Sequence, residues 1–350
     1  MPKPRILLMM SGGVDSSVSA ALLQEQGYEV VGLTLEQYKP DPTLKEHCTD
    51  IEDARHVAQR LGFEHHVLNT EEKFYQSVIL HFVESYKNGL TPNPCTHCNR
   101  NLKFQEAYEF AQKFNCAFFA TGHYARLLQD EQGRWGLYRA IYKERDQSYF
   151  LYGVRRELVP LIRFPLGDKN KEQVREVARR LGMKKISEKE GSQDICFTKG
   201  TTYNEFLSRF IPSQEGPILS CRGEQLGTHS GITNYTIGQR KGLGLAGGPF
   251  YVCEIDPRRN AVIIGSKEDL ARCRVTAIHP RWMTAPAVGD RVMAQIRSRH
   301  VPAPAVLVEM TEDQFTIEFA QAQYGVAPGQ ALVISIEEQI LGGGEIHSSQ

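Results

Sequence analysis

The feature that most constrains this chain is the apolar run Ile6–Met10 followed at once by Ser11-Gly12-Gly13-Val14-Asp15-Ser16-Ser17. A helical pattern then runs from Asp15 to Gln26 and is closed by Gly27. Glycines at such a turn let backbone approach a ligand closely. The free N–H groups at the helix start, with small hydroxyl side chains, favour an anion. The loop is not a Walker loop, because no Gly-Lys-Ser/Thr follows, and it is not the dinucleotide G-x-G-x-x-G. The alternation continues with a strand at Glu29–Leu35, a helix at Asp50–Leu61 closed by Gly62, and a strand at Glu64–Leu68. Thr70 with Lys73 opens a helix to about Tyr86, Leu102–Phe114 reads as another helix, and Ala117–Thr121 as another strand. Strands separated by helix-length segments predict an α/β fold with a parallel, doubly wound sheet.

Downstream, Asp168–Leu181 reads as a helix with Asn170 and Gln173 in a capping arrangement. Lys169, Lys171, Arg175, Arg179, Arg180, Lys184 and Lys185 form the densest basic run, either a solvated helix face or a patch for an RNA backbone. From Pro217 the texture turns to Gly-rich turns and short β-type runs: Phe250–Ile255, Ala261–Gly265, Arg291–Ile296, Ala305–Glu309, Gln314–Phe319 and Ala331–Ile336. The expected division is 1–204 for the α/β domain with the basic helix, 205–272 for a small β-rich central domain, and 273–350 for a C-terminal β-barrel. The 41 basic and 41 acidic residues cancel, so an RNA partner would be held by local patches. No apolar stretch approaches a membrane span and Met1–Arg5 leads straight into a strand, so a soluble, cytoplasmic protein is expected.

Eight cysteines in a chain of this kind point to metal binding or thiol chemistry rather than a secreted disulfide framework. Thr91-Pro92-Asn93-Pro94-Cys95-Thr96-His97-Cys98-Asn99 reads as a proline-locked loop with exposed thiols. Arg100, Lys103 and the field of a helix starting near Leu102 would favour thiolate. Cys196, in Gly191–Phe197, is a third candidate. Taken alone, the CxxC could be half a zinc site or a redox pair, but no second CxxC stands at zinc-finger spacing. Cys116, Cys221, Cys253 and Cys273 read as packing residues, Cys48 as an inert thiol, His97 as a loop residue and His65-His66 as structural; His229 and His279 have no pairing that suggests chemistry.

SGGVDSS resembles the PP-loop of the ATP pyrophosphatases, which implies an adenine nucleotide alpha hydrolase-like, five-stranded parallel sheet. NPCTHCN, TGHYA (Thr121–Ala125), DQSYFLY (Asp146–Tyr152), SQDICF (Ser192–Phe197), YTIGQRKGLG (Tyr235–Gly244) and LGGG (Leu341–Gly344) extend that likeness. With them, the chain from residue 6 to residue 344 resembles the bacterial tRNA-specific 2-thiouridylases. The resemblance implies ATP-dependent adenylation of the C2 carbonyl of the wobble uridine (U34) in tRNAs for Lys, Glu and Gln, followed by replacement of that oxygen by sulfur. It implies that Met9, Met10, Ser11, Gly12, Gly13, Val14, Asp15 and Ser16 hold ATP phosphates with Mg²⁺, and that Leu35 and Gly122 lie near the nucleotide. Cys98 corresponds to the family's nucleophile and Cys196 to its persulfide carrier. Asn93, Pro94 and Cys95 would face the target base. His123, Arg145, Asp146, Gln147, Arg297, Ser298 and Gln330 would touch tRNA. The partners implied are tRNA and a sulfur-donor protein, with the chain itself a monomer. Met9 replaces a glycine of the pattern, Leu35 a methionine, and Cys95 an aspartate.

Two routes for sulfur follow. In one, Cys196 carries a persulfide and ends in a disulfide with Cys98. In the other, Cys95, Cys98 and Cys196 hold a [4Fe–4S] cluster with one iron open. The rivals are an amidating PP-loop synthetase, for which the chain has no glutaminase-like segment, and a tRNA-binding protein that keeps the loop only to sense nucleotide.

Overall fold

The computed structural model describes residues 2–38, 46–183, 195–198 and 201–350. Lys184, Lys185 and the Gly191–Asp194 part of the Cys196 motif lie outside them, as does the side chain of Cys48. The chain divides into two compact units, one of Met1–Ser77, Cys95–Phe197 and Glu338–Ile340, the other of Val78–Pro94, Thr198–Glu337 and Leu341–Gln350.

In the first unit, β1 (Arg5–Met9) is buried from Ile6 onward, as a strand covered on both faces must be. It pairs in parallel with β2 (Glu29–Glu36) on one side and β4 (Phe118–Thr121) on the other. β3 (Glu64–Asn69) lies beyond β2, and β7 (Ile162–Arg163) beyond β4, giving the parallel order β3-β2-β1-β4-β7. Helices α1 (Val14–Glu25), α2 (Glu46–Leu61) and α7 (Lys171–Arg180) bury Val14, Val18, Leu23, Ala54, Val57, Val174 and Ala178 in one core with Ile6 and Leu8. Each large apolar side chain so buried contributes about 1.5–3 kcal/mol. On α6 (Phe104–Lys113), Phe104 meets Phe119 of β4 edge to face at 6.2 Å.

Two helical runs depart from simple geometry. α3 (Glu71–Phe74) continues through a π-helical turn, Tyr75–Ile79, into α4 (Leu80–Lys87). α5 (Pro94–Cys98) continues through a second π turn, Asn99–Lys103, into α6. The expected proline-locked loop is therefore helix from Pro94 on. An unexpected hairpin, β5 (Ala125–Gln129) and β6 (Trp135–Arg139), is turned by Asp130, whose Oδ1 accepts the N–H groups of Gln132 and Arg134.

The second unit holds β8 (Gly216–Ser220), β9 (Gln225–His229), β10 (Tyr251–Asp256) and β11 (Ala261–Gly265) in the order β10-β11-β8-β9, with α8 (Tyr203–Leu207) before them. Six further strands follow: β12 (Ala271–Trp282), β13 (Arg291–Gln295), β14 (Ala303–Met310), β15 (Gln314–Tyr324), β16 (Ala331–Ile336) and β17 (Gln339–Ser349). They run β12-β15-β14-β13-β16-β17, and pairing of β12 with β17 closes the barrel around Val275, Leu307, Phe315, Ile317, Leu332 and Ile346. Closure removes the sheet edges. The LGGG motif belongs to this closure: a Cβ on Gly342 would stand 2.1 Å from the Arg281 carbonyl oxygen, so only glycine fits. Cys253 is buried as expected, whereas Cys221 and Cys273 are exposed. The first follows the end of β8, and the second sits at a register shift in β12.

Candidate active site

The sheet order reverses between β1 and β4, and the carboxyl ends of two such strands form the crevice where α/β folds bind ligands. The loop after β1 and Gly122 after β4 meet there. Gly12 takes φ +69°, and a Cβ on it would stand 2.2 Å from the Asp50 carbonyl oxygen. A Cβ on Gly122 would stand 3.0 Å from the Ser16 nitrogen, so the glycine keeps that nitrogen approachable. Ser16 Oγ accepts the Ser11 N–H at 3.2 Å and donates to the Gly13 carbonyl at 3.1 Å, bracing the turn. No side chain caps α1, whereas α7 and α8 both begin with capping boxes. The first N–H groups of α1 lack intrahelical partners and point into the crevice with the positive end of the helix dipole. These observations fit a polyphosphate. Met9 and Met10 are buried and Leu35 is half-buried on β2.

Asp15 is held from two sides. Tyr124 Oη donates to its Oδ1 at 2.6 Å, and Lys171 Nζ lies 2.7 Å from Oδ1 and 2.8 Å from Oδ2. Burial, and then the Asp15 charge, push the Tyr124 phenol far above its usual range, so it remains a donor. Lys171 belongs by sequence to the basic run expected to be solvated or to face RNA, but it is buried. Sequence reasoning missed both Tyr124 and Lys171 as site residues. The available signal was position: a lysine at the first residue of a helix opposes the dipole and needs an anionic partner.

The thiols occupy different environments. Pro94 starts α5, the helical position that proline favours, and the run carries Cys95 to an exposed position and Cys98 inward, where it is 7% exposed. Burial raises the Cys98 thiol to about 11, while the Lys103 charge opposes the rise. The expected helix field from Leu102 is absent because the helix begins eight residues earlier. Asn99 Nδ2 donates to the Phe150 carbonyl at 3.0 Å, so the DQSYFLY segment supports the π turn. Cys196 is exposed on a short 3₁₀ turn, Cys196–Thr198, whose Phe197 is buried against Phe74 at 5.9 Å.

Residues 4–200 match the family described as tRNA methyl transferase HUP domain, residues 204–266 the tRNA methyl transferase PRC-barrel domain, and residues 272–346 the aminomethyltransferase beta-barrel domain. The tRNA-specific 2-thiouridylase MnmA of a Bradyrhizobium species is 42% identical over 99% of this chain and 91% of its own. That of Clostridioides difficile is 38% identical over 99% and 98%. The chain belongs to the tRNA-specific 2-thiouridylase family. A solved 4-thiouridine synthetase in complex with RNA and ATP covers 60% of this chain and 50% of its own at 18% identity and a TM-score of 0.38, too slight a likeness to argue from.

The positions where the 2-thiouridylase resemblance implies tRNA contact differ in availability. Arg145, Arg297 and Ser298 are exposed, and Asn93 and Gln147 are half-buried. Gln147 Oε1 accepts the Tyr124 N–H at 3.0 Å, and Gln330 Nε2 donates to the Thr91 carbonyl at 2.8 Å. The Asp146 carboxylate is committed internally, to Arg139 at 3.1 Å, to the Ser148 hydroxyl at 2.7 Å and to the Ala140 N–H at 2.9 Å. His123 Nδ1 meets Thr121 Oγ1 at 2.6 Å and its ring stacks on Phe104; desolvation and then Lys103 lower its pKa well below the ordinary value. The described residues contain no group of three or more His, Cys, Asp or Glu side chains that could hold a metal ion. Among the described residues, Cys95, Cys98 and Cys196 do not form such a group.

Proposed function

We propose that this chain is an ATP-dependent tRNA sulfurtransferase that converts the wobble uridine of tRNAs for Lys, Glu and Gln to 2-thiouridine. The observation that carries the reading is the end-to-end match to named 2-thiouridylases at about 40% identity, in a chain whose uncapped glycine loop sits at the sheet's switch point.

A carbonyl oxygen leaves uracil poorly, so it is first joined to the α-phosphate with release of pyrophosphate. The N–H groups of Gly12 to Ser16 hold the phosphates. The Asp15 carboxylate suits Mg²⁺, which when bound would offset phosphate charge. Exposed Cys196 accepts sulfane sulfur from a donor persulfide, RSSH, and releases RSH. The Cys98 thiolate then attacks the inner sulfur of the Cys196 persulfide, forming the Cys98–Cys196 disulfide and expelling HS⁻. Hydrosulfide adds to C2 of the activated base, and AMP leaves with the original oxygen. An external dithiol restores both thiols. Buried and protonated at neutral pH, Cys98 does not react before it is needed, and Lys103 supplies the charge that favours its thiolate. Cys95, where the family pattern has aspartate, cannot serve as an ordinary carboxylate acid or base.

The protein is proposed to act in the cytoplasm as a monomer served by a sulfur-donor protein; no helix among the described residues is long and apolar enough to cross a membrane. The test is incubation of purified tRNA with ATP, a persulfide source and a reductant, followed by nucleoside mass spectrometry. 2-Thiouridine should appear only with ATP. Cys98→Ser and Cys196→Ser should abolish it while retaining ATP binding, and thiolation by both variants would overturn the cysteine assignment.

A further inference from the structure

We propose that Cys221 and Cys253 form a second dithiol–disulfide site, oxidised by hydroperoxides, which staples the base of the segment that carries the YTIGQRKGLG motif.

The small sheet brings these thiols together across β11. Ile264 of β11 pairs with Val252 of β10 on one side and with Ser220 of β8 on the other, and each cysteine directly follows its strand's paired residue. Cys253 falls in the register shift between Val252 and Glu254. Such an irregularity re-aims a side chain out of the strand's alternation. Cys221 Sγ lies 3.5 Å from the Ile264 carbonyl oxygen, and Cys253 Sγ 3.4 Å from that of Tyr251. The two sulfurs are also within hydrogen-bonding range of each other. Gly265 makes the room for this: a Cβ there would stand 2.8 Å from Cys221 Sγ and 2.5 Å from Asp269 Oδ2. Both thiols are free.

Burial sets the order of reaction. Cys221 is exposed and meets solvent-borne oxidant as thiolate in equilibrium with water, whereas Cys253 is buried. Burial, and then the neighbouring Cys221 sulfur, hold the Cys253 thiol well above its ordinary value, so by itself it stays protonated. The Cys221 thiolate attacks a hydroperoxide, ROOH: an S–O bond forms, the O–O bond breaks, and RO⁻ leaves to take up a proton as ROH. The sulfur gives up the two electrons that the peroxide gains. The Cys253 sulfur then attacks the sulfenic sulfur; the S–S bond forms, the S–O bond breaks, and hydroxide leaves with the Cys253 proton as water. An external dithiol reverses the change by exchange.

The two cysteines bracket β9 and the motif Tyr235–Gly244. The Gly238 N–H donates to the Val252 carbonyl at 2.8 Å, and the Val252 N–H to the Gln239 carbonyl at 2.9 Å, so the motif is bonded to the residue beside Cys253. Arg240 and Lys241 of the motif are exposed. A cross-link from the end of β8 to β10 closes this segment at its base.

The test treats the full chain with hydrogen peroxide, followed by non-reducing digestion and peptide mass spectrometry, with hydrogen exchange measured in parallel. A Cys221–Cys253 cross-linked peptide should form, separate from any that contains Cys98 or Cys196, and dithiothreitol should remove it. Amide exchange across Tyr235–Val252 should slow several-fold in the oxidised protein. In Cys221→Ser, Cys253 should remain reduced at the same dose and be alkylated after unfolding. In Cys253→Ala, dimedone should trap sulfenic Cys221; if that variant fails to fold, Cys221→Ser, a change at an exposed position, carries the test. The proposal is overturned if both wild-type thiols survive peroxide, if Cys221 passes to sulfinic acid without cross-linking, or if Cys253 oxidises as fast in Cys221→Ser. Unchanged exchange in the cross-linked protein would overturn the staple.

Discussion

The Cys98 thiol accepts the backbone N–H of Lys103 across the π-helical turn, and the Lys103 ammonium opposes the upward push of burial on that same thiol. One residue therefore supplies both a hydrogen bond and a charge. A π turn realigns side chains relative to regular helix, and such turns often occur at functional sites.

Replacing Lys103 by methionine keeps the N–H and removes the charge. The Cys98 thiol should then titrate above about 11, and its thiolate fraction at pH 8 should fall. Alkylation of Cys98, followed by peptide mass spectrometry, should slow several-fold, and thiolation should slow with it. Unchanged alkylation across pH 7–10 would remove Lys103 from the account.

Gly12 and Gly122 separate folding from binding. Gly12→Ala forces a Cβ into the Asp50 backbone at a positive φ, which should destabilise the fold by about 1–3 kcal/mol. Gly122→Ala meets the Ser16 nitrogen at the contact limit, so stability should change little while ATP affinity drops at least tenfold. Thermal melting and nucleotide titration check the pair.

His65 gives the protein an acid liability. Its imidazole meets Thr34 Oγ1 at 2.9 Å, and burial, with Arg55 and His66 adding to it, lowers its pKa to about 4. The folded state therefore favours the neutral ring. That stability is complete above the ordinary histidine value of 6.5 and is lost as the pH falls toward 4. His65→Gln should flatten the dependence of stability on pH between 6.5 and 4, as read by denaturant melts. An unaltered slope would assign the acid sensitivity elsewhere.

Phe197 anchors the turn that presents Cys196. Phe197→Ala should cost about 3 kcal/mol and release the turn from Phe74. At a temperature where the variant is folded, thiolation should fall while ATP binding persists. Equal loss of both would show that the anchor supports the whole unit rather than the cysteine.

The sequence made β1, β2, α1 and α7 legible because burial left uninterrupted apolar patterns or an explicit cap: Asn170 and Gln173 form the capping box seen in their spacing. β12 escaped notice because its pattern breaks at His279, a residue with φ +52° within a register shift. β17 escaped because its centre is glycine, chosen for close approach rather than side-chain packing. Pro94 suits a loop lock and a helix start equally in the sequence, and the helix it begins turns Cys98 inward. The phosphate loop was legible because its glycines are local requirements. Lys171 was not, because its partner Asp15 lies 156 residues away and the ion pair exists only after α1 and α7 pack.

The most direct test of the central claim uses tRNA carrying ¹⁸O at C2 of the wobble uridine, with mass spectrometry of the nucleotide released in a single turnover. Transfer of the label into the phosphate group of AMP is the expected result, because the oxygen departs on the adenylyl group. Formation of 2-thiouridine with unlabelled AMP would contradict adenylation of the base.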